Sequence, residues 1–174
     1  MQPTRFVQLD PANPLEALTA TARGMIDGNF VRAAQRAHTE LMTAVAEAGQ
    51  LAAVRSRLGL FPDEPSGPDD ARCRYLAGVL FGHDLARGEG ACVRPSIPMR
   101  GSLSWMPLPP GRHVVFTHVG PYDTLHLTWQ AIYRDWLPRS GEVPRQAPPM
   151  ELSIDLPEDV APAALRTEIW LPLS

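Results

Sequence analysis

Thr117-His118-Val119-Gly120 repeats the pattern of an earlier segment, Thr21-Ala22-Arg23-Gly24, at an offset of 96 residues. In both places a strand-like run ends at the glycine, and a stretch with helical periodicity follows, over residues 28–50 and 122–137. Two more strand-like runs complete each half. Because the same four elements recur in the same order, the sequence predicts two copies of a strand-helix-strand-strand unit.

The later segments of the two halves keep a similar offset. We match Pro62-Asp63-Glu64 with Pro157-Glu158-Asp159 at an offset of 95, and the closing strands, residues 74–79 and 166–171, at an offset of 92. A repeated unit of three strands and one helix predicts an α+β fold, in which each antiparallel sheet is covered by one helix. Two such units side by side would leave a pseudo-two-fold ligand cleft between them.

The glycine- and proline-rich stretch between the halves predicts their boundaries. We expect one domain over residues 1–174, with unit 1 at 1–87, a connector at 88–101 and unit 2 at 102–174. A short strand is predicted near residues 103–106. On this prediction the chain folds as one duplicated domain.

The second predicted helix has a stripe of large side chains, Leu125, Trp129, Ile132, Tyr133 and Trp136. Asp123 is the predicted N-cap, and Pro138 and Gly141 are predicted to end the helix. An aromatic stripe at helical spacing belongs to a core more often than to a ligand site. We favour that interpretation for Trp129 and Trp136.

Composition and charge exclude several classes of protein. The 174 residues are 44% hydrophobic and 20% charged, which is the balance of a globular chain rather than a disordered one. Sixteen basic and nineteen acidic residues leave a net charge of −3, which disfavours nucleic-acid partners. All basic residues are arginine, so neither a Schiff-base lysine nor a phosphate-loop lysine is available. No apolar run is long enough to span a membrane and no signal-peptide pattern opens the chain, so we expect a cytoplasmic protein.

The cysteines and histidines show no metal-binding spacing. Cys73 and Cys92 lack a Cys-x-x-Cys pattern and are interpreted as reduced thiols, and no His-Glu-x-x-His pattern is present. We therefore expect no metal and no cofactor. His118 lies where a strand gives way to a helix. The favoured interpretation is a turn histidine bonded to the backbone, and a ligand-contacting group is the alternative.

The last predicted hairpin holds the best candidates for chemistry. If its turn is centred between Asp159 and Val160, Glu151 lies opposite Glu168. The predicted apolar face is then Leu152, Ile154, Leu165, Ile169 and Leu171, and the other face is Glu151, Ser153, Arg166, Glu168 and Trp170. Two opposed carboxylates repel each other, which is easier to understand if a cation or a proton lies between them. The alternative is a solvated face with Arg166 as counter-ion. Trp170 beside Glu168 suits a flat cationic ligand.

Four segments of the second half carry a family resemblance. They are residues 108–122 (LPPGRHVVFTHVGPY), 136–141 (WLPRSG), 149–155 (PMELSID) and 165–172 (LRTEIWLP). In this order they resemble the GyrI-like small-molecule-binding family, also met as the effector-binding domain of bacterial transcription regulators. The first half looks like the degenerate partner unit. The resemblance implies a duplicated fold with a ligand cleft, in which relatives use an acidic residue to bind bulky, hydrophobic and often cationic compounds.

The resemblance also implies site residues. By position, Glu151 and Glu168 match the family's glutamates, and Tyr122 matches its Gly-x-Tyr element. Together with the aromatic pattern this gives a ligand-binding set of Glu151, Glu168, Tyr122, Trp170, Trp105, Trp129, Tyr133 and His118. The expected function is binding of a bulky hydrophobic, cationic compound for sensing or sequestration. A stand-alone protein is expected, because strand-like sequence begins almost at Met1 and leaves no room for a helix-turn-helix domain.

Two other functions stay open. Part of the family resembles hydrolases that open the strained cyclopropane of DNA-alkylating antibiotics, and Glu168, Glu151 and Tyr122 would then be the catalytic residues. The third candidate is an interaction protein that binds a toxin or a topoisomerase, as the family name suggests. Nucleic acid and membranes are not expected partners, and formation of a homodimer is left open.

Overall fold

The computed structural model describes residues 1–174 and divides them into two compact units. The middle unit is Pro14–Leu108, and the terminal unit combines Met1–Asn13 with Pro109–Ser174. This division differs from the predicted one, because the N-terminal strand β1 (Arg5–Leu9) pairs with a strand of the second half rather than the first. Both units contain antiparallel strands and helix, so the predicted α+β class is confirmed.

The middle unit has five strands and one long helix. In chain order they are β2 (Glu16–Arg23), α1 (Val31–Glu47), β3 (Val54–Leu60), β4 (Arg74–Asp84), β5 (Glu89–Val93) and β6 (Ser104–Pro107). The strands run antiparallel in the order β3-β4-β2-β6, and β5 pairs with β4. The stretch predicted as a connector therefore contains β5, a strand that the glycine-rich sequence did not indicate.

The terminal unit has four strands and a helical segment in several pieces. After β7 (Gly111–Val119) come α2 (Leu125–Ala131), a π-helical turn (Ile132–Trp136) and α3 (Leu137–Ser140), and then β8 (Met150–Ser153) and β9 (Arg166–Pro172). The strands are antiparallel in the order β1-β7-β9-β8. Each unit thus contains the predicted strand-helix-strand-strand order, and in each the last strand of the four elements lies between the other two.

An aspartate–arginine pair occurs at the same place in both units. Arg74 at the start of β4 donates from its backbone N–H and its guanidinium to Asp63, with an Nη2–Oδ1 distance of 2.6 Å. Arg166 at the start of β9 makes the same three hydrogen bonds to Asp155, with an Nη2–Oδ1 distance of 2.9 Å. In both pairs the aspartate precedes the arginine by 11 residues, at an offset of 92. The predicted match of Asp63 with the Pro157–Asp159 segment is therefore wrong.

The long helix forms within residues 28–50, the stretch for which the sequence predicts helical periodicity. Ala33, Ala37, Leu41 and Val45 recur every four residues and are its buried side chains. They pack on side chains of β2 and β4 such as Leu18 and Val79. The helix is followed by Gly49, whose φ of 71° lies in the left-handed region that glycine adopts readily.

Two details of the second helical segment differ from the prediction. Asp123 makes no capping bond and lies inside a short 3-10 turn, Tyr122–Thr124, ahead of α2. Pro138 does not end the helix but occupies the first turn of α3, where a proline needs no N–H partner, and Gly141 with a φ of 73° ends it. No helix of the protein, including the 17-residue α1, combines the length and apolar character needed to cross a bilayer.

Candidate functional site

The register of the last hairpin differs from the predicted one by one residue. Glu151 pairs with Ile169, and Leu152 pairs with Glu168. Directly opposed residues share a face, so Glu151 lies on the face of Ile169 and Glu168 lies on the other face. The predicted arrangement of the two glutamates opposite each other is therefore wrong. The predicted apolar face is also split, because Ile169 and Leu171 pack on the helical segment while Leu152 lies on the opposite side.

The register follows from contacts in the loop between the two strands. The predicted turn is centred between Asp159 and Val160, but the strands are shorter than predicted and residues 154–165 separate them. The carboxylate of Asp155 accepts the backbone N–H of Arg166, and Ile154 N–H donates to the carbonyl of Arg166. These contacts lie next to the paired residues of β8 and β9. They therefore fix the register of the two strands independently of the position of the turn.

Glu151 lies beside two aromatic rings of the helical segment. Trp129 on α2 donates from Nε1 to Oε1 of Glu151 at 2.6 Å. The ring of Tyr133, one turn further along, is stacked on Trp129 at 15° and 6.1 Å between centroids. Tyr133 is 45% exposed, and Tyr122 at the start of the segment is 37% exposed. The spacing of four residues between Trp129 and Tyr133 places both rings on one side of the helical segment.

The carboxyl group of Glu151 lies in an environment that disfavours its charge. The residue keeps part of its surface accessible, yet the atoms packed around its carboxyl desolvate it and raise its pKa to about 7. The hydrogen bond from Trp129 opposes this shift in part. The salt bridges of the terminal unit use Glu168, Glu142, Asp135 and Asp155, and none involves Glu151. No arginine of the terminal unit therefore balances its charge.

Glu168 has a different environment on the opposite face. Arg5 of β1 donates Nη1 and Nη2 to its two carboxylate oxygens at 2.6 and 3.0 Å. Trp170, which is fully buried, donates Nε1 to Oε2 of Glu168 at 3.0 Å, and the Arg5 guanidinium lies 5.5 Å from the Trp170 ring centroid. Glu168 and Trp170 are therefore parts of a partly buried ion-pair network. The sequence could not indicate Arg5 as their partner, because 163 residues separate it from Glu168.

The remaining predicted site residues lie in separate places. His118 is buried and bonds through Nδ1 to the Thr128 hydroxyl at 2.7 Å, and through Nε2 to Thr124 and to the Pro121 carbonyl. These contacts join the end of β7 to α2. Trp105 belongs to the middle unit, where it packs on Phe81 and under the Arg94 guanidinium. Of the eight predicted residues, the terminal unit brings together Glu151, Trp129 and Tyr133 as one contacting group.

This contacting group has a definite chemistry. A carboxylate without a cationic partner attracts positive charge, and indole and phenol rings provide apolar and cation–π contacts. No three histidine, cysteine or acidic side chains are arranged to hold a metal ion. The contacting group therefore combines one carboxyl group with two aromatic rings.

Comparison with known proteins supports a family assignment. The family model described as "GyrI-like small molecule binding domain" matches residues 13–174. The "Probable transcriptional regulator YgiV" of Escherichia coli K12 is 36% identical over 85 residues, which are 49% of this chain and 53% of that protein. The chain thus spans about half the length of the curated relatives it matches.

Solved structures share the fold at low sequence identity. The structure of SAV2435 bound to tetraphenylphosphonium has a TM-score of 0.56 at 17% identity and covers 100% of this chain and 94% of that one. A structure described as a hydrolase from Listeria innocua has a TM-score of 0.53 at 14% identity, with coverage of 98% and 91%. At these identities the likeness concerns the fold alone. The family match over most of the chain shows that this protein belongs to the GyrI-like family of small-molecule-binding domains.

Proposed function

We propose that the protein binds bulky hydrophobic cations, for sensing or sequestration, at the group formed by Glu151, Trp129 and Tyr133. The observation that supports this most strongly is the Glu151 carboxylate held at 2.6 Å by the Trp129 indole, with Tyr133 stacked on the same indole. The positive charge of such a ligand would neutralise the Glu151 carboxylate, and its apolar surface would cover the aromatic rings of Trp129 and Tyr133.

The electrostatics favour a cation over a neutral ligand. Ionised Glu151 lacks a salt bridge, and a desolvated carboxylate without a counter-charge is unfavourable. A bound cation supplies that counter-charge where water is partly excluded, so the attraction is stronger than at an open surface. The ring faces of Trp129 and Tyr133 add cation–π attraction. An anionic ligand would meet repulsion from the same carboxylate.

The test uses tetraphenylphosphonium, the cation in the SAV2435 structure, with triphenylphosphine oxide as a neutral probe of similar shape. Calorimetric titration at pH 8.5, where the Glu151 carboxyl is ionised, should show that Glu151→Gln weakens phosphonium binding by about ten- to a hundredfold, the usual range for losing a charge-assisted contact. Binding of the neutral probe should change by less than about twofold. Phosphonium affinity that is equal in wild type and Glu151→Gln would contradict the proposal.

A matched control is available in the same unit. Glu158 is exposed in the loop between β8 and β9, and Glu158→Gln removes the same charge without touching the aromatic group. We expect phosphonium binding by this variant to match wild type at about 0.15 M salt, where distant surface charges are screened. A loss equal to that of Glu151→Gln would indicate a general charge effect instead of a site.

Hydrolysis of a strained cyclopropane compound is the second candidate. A carboxyl group with a pKa of about 7 suits a general base at neutral pH, which favours Glu151 for this role. Glu168, the other predicted catalytic carboxylate, is engaged by Arg5 and Trp170 on the opposite face, so a two-carboxylate mechanism is not supported. Consumption of a cyclopropane-containing alkylator by wild type, and an approximately hundredfold slower rate with Glu151→Gln, would favour this candidate.

A further inference from the structure

The two oxygens of the Glu151 carboxyl group have different surroundings. Oε1 accepts the indole N–H of Trp129 at 2.6 Å, whereas Oε2 accepts no hydrogen bond from the chain. Oε2 is also not one of the buried polar atoms without a partner, which in the terminal unit belong to His113, His126, Arg145 and Thr167. Glu151 itself is half-buried. One oxygen is therefore engaged by the protein, and the other is open to a group from outside.

The carboxyl group of Glu151 is held in place from two elements. Its backbone lies in β8, where it pairs with the fully buried Ile169 of β9. Its Oε1 is held from α2 by Trp129, whose ring packs against the core of the terminal unit. A side chain fixed at both ends has little freedom to lose when a ligand arrives. Oε2 is therefore a preorganised hydrogen-bond acceptor.

A preorganised acceptor distinguishes two kinds of cation. A protonated amine can donate an N–H to Oε2, and such a charge-assisted hydrogen bond is shorter and stronger than a neutral one. A quaternary ammonium or phosphonium ion has the same charge but no N–H, and its substituents keep the charge further from the oxygen, which weakens the attraction. The rings of Trp129 and Tyr133 can contact either kind of cation. The difference between the two therefore lies at Oε2.

From this difference we infer that the protein selects hydrophobic amines, whose protonated form donates an N–H to Oε2 of Glu151, over quaternary cations of similar size and shape. The inference rests on the proposed function and specifies its ligand class. Ser153, two residues later in β8 and on the same face, is half-buried and has a neutral hydroxyl. The carboxylate is the stronger acceptor of the two for an ammonium N–H. Glu151 is then the residue that distinguishes amines from quaternary cations.

The first experiment uses the wild-type protein and two probes that differ by one N–H. Imipramine has a tertiary amine that is protonated at about pH 8, and N-methylimipramine is its quaternary derivative with the same rings and charge. At that pH the Glu151 carboxyl, with a pKa of about 7, is mostly ionised. Calorimetric titration should give an imipramine Kd at least about threefold below that of N-methylimipramine.

The outcomes separate the inference from the proposed function. If tetraphenylphosphonium binds and the imipramine Kd is less than about threefold below that of its derivative, the inference is overturned and the proposed function stands. If tetraphenylphosphonium and both imipramine compounds fail to bind, the proposed function itself fails.

The second experiment separates the hydrogen bond from the bulk of the additional methyl group. In Glu151→Gln the indole N–H of Trp129 still requires an acceptor, so the amide oxygen takes the place of Oε1 and the amide nitrogen, a donor, takes the place of Oε2. The ratio of the two Kd values should therefore fall below about twofold. A wild-type ratio in Glu151→Gln would assign the difference to methyl bulk and overturn the inference.

A matched control uses a glutamate away from the aromatic rings. Glu158→Gln, in the exposed loop between β8 and β9, should keep the wild-type ratio of the imipramine and N-methylimipramine Kd values. Loss of the ratio in this variant as well would overturn the role of Glu151. If Glu151→Gln binds neither compound measurably, the wild-type comparison decides the inference.

Discussion

The middle and terminal units follow the same strand order but use one equivalent position in opposite ways. Both place their last strand centrally and tie its first arginine to an aspartate 11 residues earlier. Four residues before that aspartate, however, the middle unit has Gly59 packed under Tyr75, and the terminal unit has Glu151 beside Trp129. The two units therefore share the pairing of their strands and differ in the side chain at this position. Glycine allows tight packing in the middle unit, and glutamate introduces a charge without a salt bridge in the terminal unit.

The other face of each sheet shows a similar difference between a small residue in the middle unit and a large residue in the terminal unit. Gly78 in β4 and Trp170 in β9 are equivalent by the 92-residue offset. A Cβ on Gly78 would lie 2.7 Å from Cδ1 of Leu58, so a neighbouring side chain fills that space. In the terminal unit Trp170 itself fills it and binds Glu168. Large and small residues have therefore been exchanged at equivalent positions without a change in strand order.

The largest expected effect concerns the charge of Glu151. Its pKa is raised from 4.5 to about 7 in the folded protein, so the folded state binds more protons than the unfolded state between these values. Stability should therefore fall as the pH rises from about 4.5 to 7, and the penalty should be complete above 7. Glu151→Gln should be more stable than wild type by about 2–3 kcal/mol at pH 8.5 and equal to it at pH 4.5. Urea unfolding at both pH values measures this, and a difference independent of pH would contradict it.

The next effect concerns packing at Gly59. Gly59→Ala adds a Cβ that must displace the Tyr75 ring, and overpacking of this kind costs about 1–3 kcal/mol. Thermal and urea unfolding should show this loss, and Tyr75→Leu should relieve it in the double variant. Gly67→Ala is the control, because nothing lies within 4 Å of a Cβ at that glycine. Equal effects of the two alanine substitutions would show that Tyr75 does not restrict Gly59.

The smallest expected effect tests the shared aspartate–arginine pairs. The hydrogen bonds from Arg74 lower the pKa of Asp63 to about 2, so its contribution is present above about pH 4 and is lost as the pH falls toward 2. Asp63→Asn should lower stability at pH 7 by at most about 1 kcal/mol, because both side chains are partly exposed. Asp155→Asn should change stability in the same direction. Opposite signs for the two variants would contradict their structural equivalence.

The repeated order of elements could be predicted from the sequence because it depends on local patterns. Alanine and leucine at four-residue spacing define α1, and alternating apolar runs define the strands. The pairing of Arg5 with Glu168 could not be predicted, because no local pattern links residues 163 positions apart. For the same reason the sequence assigned β1 to the first half, although it pairs with β7.

The candidate site was predicted in part. Glu151, Trp129 and Tyr133 were all among the predicted ligand-binding residues, and the structure brings them into contact. Trp129 was interpreted as a core residue from its helical spacing, and its ring does pack against the core of the terminal unit while its indole nitrogen reaches the carboxylate. Glu168 and Trp170 were predicted to share the site, but a register shift of one residue moves them to the other face.

The sequence by itself determined the α+β class, the duplicated element order and the choice of Glu151 as a candidate, because periodicity, turn residues and acidic residues in strands are local properties. Only the tertiary structure decided the face on which each glutamate lies and whether an arginine pairs with its carboxylate. Successive residues of a strand point to opposite faces, so a shift of one residue in the pairing changes the face of every side chain. The contacts between Asp155, in the twelve-residue connection, and Arg166, at the start of β9, fix this register, which the strand sequence does not determine. Arg5 pairs with Glu168 from the far end of the chain, and no arginine of the terminal unit pairs with Glu151.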